Sequence, residues 1–234
     1  MTEIPAPSPN HDERAAPIGL IVLHYTGMRT GEAALARMRD PAAKVSAHVM
    51  VERDGRVFRL VPDARRAWHA GVAEWAGRSD VNARSIGIEI VNPGHEWGYE
   101  DFPGAQVEAV CALVRDAMNR FAVPRAGVVG HADVAPHRKE DPGERFPWAT
   151  LAARGLALPP WDGEVPERLP DGAEAMRLLE GIGYPVTTYG NAACAVAFQR
   201  RFAPSELGRG LNPGTRAAIM QAADQAKTHG ANPT

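Results

Sequence analysis

The sequence predicts an α/β protein with a mixed central β-sheet flanked by helices, followed by a small C-terminal domain of three helices. Short apolar, β-branched runs alternate with segments of helical periodicity over the first two thirds of the chain, which is typical of a sheet covered by helices. A proline-rich stretch without periodicity at residues 156–171 is expected to be a linker. Three short helical patterns then lie within residues 172–234. A chain of 234 residues is long enough for one substantial core and one small domain.

Three predicted strands carry polar side chains where a site could form. "IGLIVLHYT", residues 18–26, is a continuous apolar run that places His24 near its end. In "SIGIEIVN", residues 85–92, the isoleucines share one face of a strand and Glu89 points from the other. A third strand, "AGVVGH", ends at His131. Two strand-end histidines and a mid-strand carboxylate are therefore candidate functional residues.

Other local patterns complete this first domain, which is expected to span residues 18–155. "GEAALARMRD" predicts a helix that stops before Pro41. Alternation on both sides of the Asp-Gly pair in "AHVMVERDGRVFRLVP" predicts a β-hairpin. Apolar residues at helical spacing predict one long amphipathic helix over residues 103–123. Residues 1–17 are expected to form a flexible leader.

Composition narrows the class of partner. The formal net charge of −2 gives no electrostatic signature for nucleic acid or an anionic membrane, so a sugar-peptide or another small molecule is the expected ligand. No protein partner is required by any pattern. Cys111 and Cys194 lie among apolar residues and are expected to be buried free thiols. The N-terminus lacks a secretory signal and a lipoprotein-type cysteine, and no stretch approaches the roughly 18 apolar residues of a membrane span, so a cytoplasmic location is expected.

The histidines and the charged loop that follows them suggest a metal site. Zinc in hydrolytic enzymes typically takes three protein ligands from histidine and carboxylate and keeps a fourth position open. His24 and His131 each end an apolar strand, where the scaffold can hold an imidazole rigidly at one edge of a sheet. One such histidine alone is more often structural, but two of them beside a charged loop favour a metal site.

The loop "HRKEDPG", residues 137–143, supplies the candidate carboxylate. The residue before the proline is pushed towards an extended conformation, in which positions i and i+2 face the same way. Lys139 and Asp141 are therefore predicted to share one side, with Glu140 turned outward. From spacing alone, His137 or Asp133 could equally be proposed as ligands.

Five motifs in order resemble a known enzyme family. "IVLHYTGM", "VSAHVMVERDG", "AWHAG", "NARSIGIEIVN" and "GHADVAPHRKEDPG" resemble, in order and spacing, the type 2 N-acetylmuramoyl-L-alanine amidases of the AmpD-like and AmiD-like kind. These are relatives of the peptidoglycan recognition proteins. The resemblance covers roughly residues 18–155 and implies the amidase fold and a zinc cofactor.

The resemblance implies a role for each matching position. His24, His131 and Asp141 are implied as the zinc ligands, Glu89 as the catalytic carboxylate, and Lys139 as a residue that stabilises the transition state. Such a ligand set leaves the metal site with net positive charge, which lowers the pKa of a coordinated water. A carboxylate can then take the water proton and return it to the departing amine.

The resemblance also changes the roles expected of other residues. His137 and Asp133 are moved to support or surface roles. His48, His69 and Asn82 match motif positions near the site, and each is expected to contact substrate or to orient the ligands, with core packing or a turn as the alternative.

The C-terminal segment looks like the three-helix peptidoglycan-binding module that often accompanies cell-wall hydrolases, with "AFQRRF" as its most recognisable piece. The expected function is zinc-dependent hydrolysis of the amide between the lactyl group of N-acetylmuramic acid and L-alanine in muropeptides, including 1,6-anhydro forms, in cytoplasmic peptidoglycan recycling. Two alternatives stay open. One is a wall-lytic amidase acting on intact peptidoglycan, and the other is a non-catalytic peptidoglycan recognition protein.

Overall fold

The computed structural model describes residues 3–229. Its strands are β1 (Glu3–Pro5), β2 (His11–Glu13), β3 (Leu20–Tyr25), β4 (Val49–Val51), β5 (Val57–Arg59), β6 (Arg65–Ala67), β7 (Ser85–Ile90) and β8 (Val128–Gly130). Its helices are α1 (Gly31–Arg39), α2 (Gly94–Trp97), α3 (Gly104–Phe121), α4 (His131–Val134), α5 (Trp148–Ala153), α6 (Gly172–Ile182), α7 (Val186–Tyr189), α8 (Asn191–Phe202) and α9 (Pro213–His229).

The central sheet has six strands in the order β1-β5-β4-β7-β3-β8. Only the β4–β5 hairpin pairs antiparallel, so the sheet is mixed, as the sequence predicts. Strands β7, β3 and β8 lie side by side and run parallel, which brings their C-terminal ends to one edge of the sheet. Strands β2 and β6 form a separate two-stranded antiparallel sheet.

The two faces of β3 enter different hydrophobic cores because successive side chains point to opposite sides of a strand. Ile21 and Leu23 pack in a core with β7 and α3. Leu20 and Val22 face the other way, into a core that also contains α6, α8 and α9. The amphipathic helix α3 therefore covers one face of the sheet, and the C-terminal helices cover part of the opposite face.

The C-terminal helices share this second core with the sheet. Leu179 of α6, Phe198 of α8 and Ile219 of α9 are fully buried in it together with Val22 and Val129. Residues 154–171 form no helix or strand, but Leu156, Ala157 and Leu158 are buried. The stretch expected to be a linker thus begins inside the packed structure.

The N-terminal segment differs from the expected flexible leader. Residues 3–5 pair in parallel with β5, and residues 11–13 pair with β6. The guanidinium of Arg14 lies among backbone carbonyl oxygens and donates to those of Asp63, Ala83 and Arg65. These partners are distant in sequence, so no local pattern could reveal them. Within residues 3–229, no helix combines the length and the apolar character needed to cross a membrane.

Candidate active site

Register between parallel strands places the main candidates side by side. His24 of β3 lies directly opposite Glu89 of β7. On the other side of β3, Leu23 pairs with Gly130 of β8, so His131 follows at the level of His24. His131 is the first residue of the short helix α4, one position beyond the strand that was expected to end with it.

Three predicted ligands converge on one point. His24 Nδ1 lies 2.9 Å from His131 Nδ1 and 3.1 Å from Asp141 Oδ2, and His131 Nδ1 lies 2.9 Å from the same oxygen. All three residues are buried, with 1 %, 3 % and 6 % of their surfaces exposed. The Ala132 amide donates to the Asp141 carbonyl oxygen at 2.8 Å, which ties the loop carrying Asp141 to α4.

The hydrogen-bond partner of His131 Nε2, the outer ring nitrogen facing away from the centre, fixes the tautomer of the neutral ring. His131 Nε2 lies 3.1 Å from the carbonyl oxygen of Ala70, which can only accept a hydrogen bond. We therefore assign the proton of the neutral ring to Nε2, which leaves a lone pair on Nδ1 facing Asp141.

Hydrogen bonds that run from Ser85 through His69 to His24 give His24 the same tautomer. The Ser85 hydroxyl donates to the Val81 carbonyl oxygen at 2.6 Å, so its oxygen is left to accept from His69 Nε2 at 3.2 Å. With its proton on Nε2, the neutral His69 ring accepts at Nδ1 from His24 Nε2 at 3.0 Å. His24 Nδ1 then also presents a lone pair to the centre.

Three acceptor atoms packed about 3 Å apart repel one another unless a cation lies between them. A tetrahedral zinc ion with bonds of about 2.0–2.1 Å separates its ligand atoms by roughly 3.3 Å, close to the spacing found here. Two imidazoles and one carboxylate are also the donor types that zinc takes in hydrolytic sites. These three residues could hold a metal ion, and the donor set fits zinc.

The ionisation of His24 and Asp141 favours metal binding. Burial, followed by the neighbouring His131, lowers the pKa of His24 to about 4, so its ring is neutral at neutral pH. Burial alone would raise the pKa of Asp141, but the adjacent imidazoles hold it well below its usual value. At neutral pH, His24 therefore has a neutral imidazole and Asp141 a charged carboxylate. Neither group has to lose a proton before it binds a metal ion.

Glu89 borders this centre without belonging to the ligand triangle. Its Oε2 is buried and has no hydrogen-bond partner among the described residues. Burial, followed by the charge of Asp141, raises the pKa of Glu89 well above its usual value, and the positive charge of Lys139 opposes that rise. Lys139 is half-buried, and its charge acts on His24 as well. The predicted acid–base carboxylate and the predicted cation therefore act on one place.

His48 is a structural residue in this arrangement. Its side chain is fully buried, with Nδ1 accepting from the Gly87 amide at 2.9 Å and Nε2 lying 3.2 Å from the Arg65 carbonyl oxygen. Nε2 also lies 2.8 Å from Arg14 Nη2, a group that can only donate. With both nitrogens engaged by the backbone, His48 stabilises β7 and does not face a substrate cleft.

Asn82 holds the backbone segment that contacts the predicted ligands. Its Oδ1 accepts from the amides of His69 and Ala70, at 3.1 and 2.7 Å. Those two residues in turn contact the outer nitrogens of His24 and His131. Of the two roles expected for Asn82 and His69, the geometry favours orientation of the ligands over substrate contact.

The two alternative ligands lie away from the centre. His137 is exposed and stacks on Tyr189 of α7, with ring centroids 4.1 Å apart. Asp133 is buried, but its Oδ2 accepts from Arg201 Nη1 of α8 at 2.7 Å. Sequence reasoning missed Ser85 and Arg201. Ser85 stands at the start of the recognisable "SIGIE" strand, whereas nothing local marks Arg201 as a neighbour of the site.

A cavity of about 300 Å³ opens beside Glu89. Met28, Met38 and Val45 give it an apolar wall, and Arg37 is its only cation among the described residues. A larger cavity of about 660 Å³ is lined by residues that precede β3 and β8, including Gly19 and Gly127, so it lies at the opposite end of these strands from the candidate site.

Comparisons with known proteins identify relatives that match most of the chain. The family described as N-acetylmuramoyl-L-alanine amidase matches residues 14–144. The N-acetylmuramoyl-L-alanine amidase AmiD of Escherichia coli K12 is 34 % identical over 212 residues, covering 80 % of this chain and 76 % of AmiD. The 1,6-anhydro-N-acetylmuramyl-L-alanine amidase AmpD of the same organism is 36 % identical over 163 residues, covering 61 % of this chain and 86 % of AmpD.

Solved structures agree with the fold. E. coli AmiD in complex with the substrate anhydro-N-acetylmuramic acid-L-Ala-D-gamma-Glu-L-Lys superposes with a TM-score of 0.73 at 31 % identity, covering 92 % of this chain and 90 % of AmiD. AmpDh3 of Pseudomonas aeruginosa gives a TM-score of 0.81 at 29 % identity, covering 90 % of this chain and 92 % of AmpDh3. The predicted fold class is confirmed, and the chain belongs to the N-acetylmuramoyl-L-alanine amidase family.

Proposed function

We propose that the protein is a zinc-dependent amidase that cleaves the bond between the lactyl group of N-acetylmuramic acid and L-alanine in muropeptides, including 1,6-anhydro forms. One observation carries the proposal. Two imidazole nitrogens and a carboxylate oxygen meet about 3 Å apart beside the buried, unpartnered carboxylate of Glu89. The names of AmiD and AmpD and the substrate held by AmiD support this choice of bond.

His24, His131 and Asp141 would hold the zinc ion. Zinc bound there supplies Lewis acidity, which lowers the pKa of water and polarises the substrate carbonyl. The hydrogen bonds from the outer ring nitrogens to His69 and Ala70 keep both imidazoles turned towards the metal. The ligands therefore need little rearrangement on metal binding.

Glu89 serves as the acid–base group. A carboxylate whose pKa is raised by burial is a stronger base than an exposed one. It accepts the proton from the attacking water and delivers it to the departing amine of L-alanine. Amide hydrolysis needs this second transfer because an unprotonated amine is a poor leaving group.

Lys139 stabilises the negative charge that develops on the carbonyl oxygen during attack. Its charge already acts on both Glu89 and His24 across the site. Removing one such charge-stabilising group typically raises the activation barrier by about 2.7–4 kcal/mol.

We place the part of the substrate next to the scissile amide in the cavity of about 300 Å³ that Glu89 borders. The apolar side chains of Met28 and Met38 suit aliphatic atoms there, and Arg37 provides positive charge for a carboxylate.

The decisive experiment compares metal-free and zinc-reconstituted protein on defined anhydromuropeptides and reduced muropeptides by mass spectrometry. We expect release of a free stem peptide only with the zinc-reconstituted protein. No release with zinc present would contradict an amidase and favour a recognition protein. Clear digestion of intact sacculi would favour the wall-lytic alternative, which the peptidoglycan-binding-like C-terminal pattern supports, over turnover restricted to soluble fragments.

A further inference from the structure

The C-terminal helices reach the metal-ligand segment through two adjacent arginines of α8, Arg200 and Arg201. We propose that this arginine pair is a positioning device that holds His131 and Asp141 in metal-binding geometry. The helical C-terminal part of the chain is then a structural component of the active site, in addition to any binding role of its own. The inference rests on the zinc site proposed above.

Arg201 fastens the turn that carries His131. Its Nη1 donates to Asp133 Oδ2 at 2.7 Å, and the two side chains are only 4 % and 1 % exposed. The same oxygen accepts from the Gly130 amide at 2.7 Å. The Tyr184 hydroxyl donates to the other oxygen, Asp133 Oδ1, at 2.5 Å. Gly130 and Asp133 stand on either side of His131, so these bonds fix the backbone from which His131 projects.

Arg201 also ties this turn to the end of the sheet. Its Nη2 donates to the Val128 carbonyl oxygen in β8 at 2.8 Å. Its guanidinium lies over the ring of Trp148, 4.2 Å from the ring centre. One side chain therefore connects β8, α4 and α5, and a planar, multidentate group is needed to do so.

Arg200 fastens the loop that carries Asp141. Its Nη2 donates to Glu140 Oε1 at 2.9 Å, and its Nε donates to Glu144 Oε2 at 3.2 Å. The arginine side chain is 11 % exposed, whereas that of Glu140 is 50 % exposed. Glu140 and Glu144 lie on either side of Asp141. Arg201 thus holds the turn that carries His131, and Arg200 separately holds the loop that carries Asp141.

Residues 135–147 form no helix or strand that would hold Asp141 by itself, so the loop depends on contacts such as these and on the hydrogen bonds that the Ala132 amide and the Tyr99 hydroxyl donate to the Asp141 and Pro142 carbonyl oxygens. The space between α8 and this segment contains a void of only about 10 Å³, room for one water molecule at most. With close packing of this kind, a shift of α8 also shifts the ligand loop, whereas a loosely attached domain could move without affecting the loop. Preorganised ligands bind a metal more tightly, because loss of supporting contacts typically weakens metal affinity by about 10–100-fold.

The test is a zinc titration of the full-length, metal-free protein in competition with a chromophoric chelator. We expect Arg200→Gln to raise the zinc dissociation constant by about 10-fold or more. Arg200→Lys keeps a cation facing Glu140 and Glu144 and should restore much of the affinity. Arg201→Lys should weaken zinc binding as well, because an ammonium group cannot contact Asp133 and Val128 together. Arg209→Gln is the matched control, since Arg209 is 66 % exposed and, among residues 3–229, its ion pair is with Glu206 in the segment between α8 and α9.

Hydrogen exchange of the metal-free proteins gives a second readout that does not involve zinc. We expect faster exchange over residues 130–144 in Arg200→Gln and no change in Arg209→Gln. Wild-type zinc affinity together with wild-type exchange in Arg200→Gln would overturn the proposal. If an Arg201 variant does not fold, the Arg200 variants decide. If the wild-type protein binds no zinc, the proposed metal site is wrong. Unchanged hydrogen exchange in Arg200→Gln would in that case reject the positioning role independently.

Discussion

Glu89 differs from the three candidate ligands in what surrounds its carboxylate. Asp141 Oδ2 lies within 3.1 Å of two imidazole nitrogens, whereas Glu89 Oε2 is buried without a partner. An unpartnered buried carboxylate is unfavourable for folding, and in this site it is available to take up a proton. The proposed metal ligand and the proposed acid–base group thus differ in their polar neighbours.

We expect Glu89→Gln to lower kcat by about 100-fold to 10,000-fold, because the amide side chain cannot take or return a proton. Zinc affinity should stay close to that of the wild type, since Glu89 is outside the ligand triangle. Steady-state kinetics on an anhydromuropeptide and a zinc titration measure both quantities. Undiminished product release by the Gln variant would refute the assigned role.

The Ser85–His69–His24 chain makes a second prediction for individual residues. We expect His69→Ala to weaken zinc binding by about 10–100-fold, because the outer nitrogen of His24 loses its acceptor and the ring can turn. His69→Asn offers an amide oxygen near the position of Nδ1 and should bind zinc more tightly than the Ala variant. Chelator competition measures the affinities, and equal values for the two variants would argue against the assigned tautomers.

Strand β7 brings His69 and the proposed catalytic carboxylate of Glu89 to one face through its alternation. Ser85, Gly87 and Glu89 point to the face on which His69 lies, while the isoleucines between them pack against α3. The ring of His69 lies directly over Gly87, and a Cβ at that position would be 2.4 Å from the ring. Glycine is required there by close approach of another side chain.

Gly87→Ala is therefore expected to destabilise the fold by about 1–3 kcal/mol, because the added methyl group must displace the buried imidazole. Zinc binding should weaken too, since His69 orients His24. Gly19→Ala is the control, as a Cβ there meets nothing within 4 Å. Urea unfolding of both variants measures the free energies, and an unchanged Gly87→Ala would show that the ring can move freely.

At the scale of the whole molecule, the C-terminal helices and the sheet bury one hydrophobic core together. The division into residues 18–155, 156–171 and 172–234 remains a prediction about domains, and it has a physical consequence. A separable domain keeps its own core, whereas removal of α6, α8 and α9 would expose Leu20, Val22 and Val129.

We expect a chain that ends at residue 155 to lose cooperative unfolding and to aggregate, because this apolar face of the sheet would contact water. Circular dichroism during thermal unfolding and size-exclusion chromatography would show this. A monomeric fragment with a sharp unfolding transition would mean that the first part folds on its own, as the sequence pattern alone suggests.

Buried neutral histidines predict how the stability of the metal-free protein depends on pH. Burial, and then the charge of Arg14, lower the pKa of His48 from 6.5 to about 4, and His24 behaves similarly. At these histidines the unfolded chain therefore binds more protons than the folded chain between these values, so their contribution to the free energy of unfolding should fall as the pH decreases from about 6.5 to about 4. Urea unfolding with a chelator present at several pH values measures this.

A matched variant isolates the His48 contribution. His48→Asn retains an acceptor for the Gly87 amide but cannot titrate in this range. Its unfolding free energy should therefore depend less steeply on pH than that of the wild type. An equally steep dependence in the variant would assign the effect to other groups.

Local patterns by themselves predicted the strands and the long helix of this protein and indicated several candidate metal ligands. Alternation along a strand and the conformational limit before Pro142 act over a few residues, so they can be recognised without knowing the fold. They pointed to His24, His131 and Glu89, but spacing left Asp141, His137 and Asp133 open as the third ligand, and the family resemblance selected Asp141.

Only the tertiary structure decided which distant groups meet. His24 and Asp141 are 117 positions apart, and Arg201 and Asp133 are 68 apart. Strands at residues 3–5 and 11–13 form because partner strands are present beside them, although their own sequence favours a loose segment. Contacts between remote segments depend on sheet order, register and core packing, which no short stretch of sequence specifies alone.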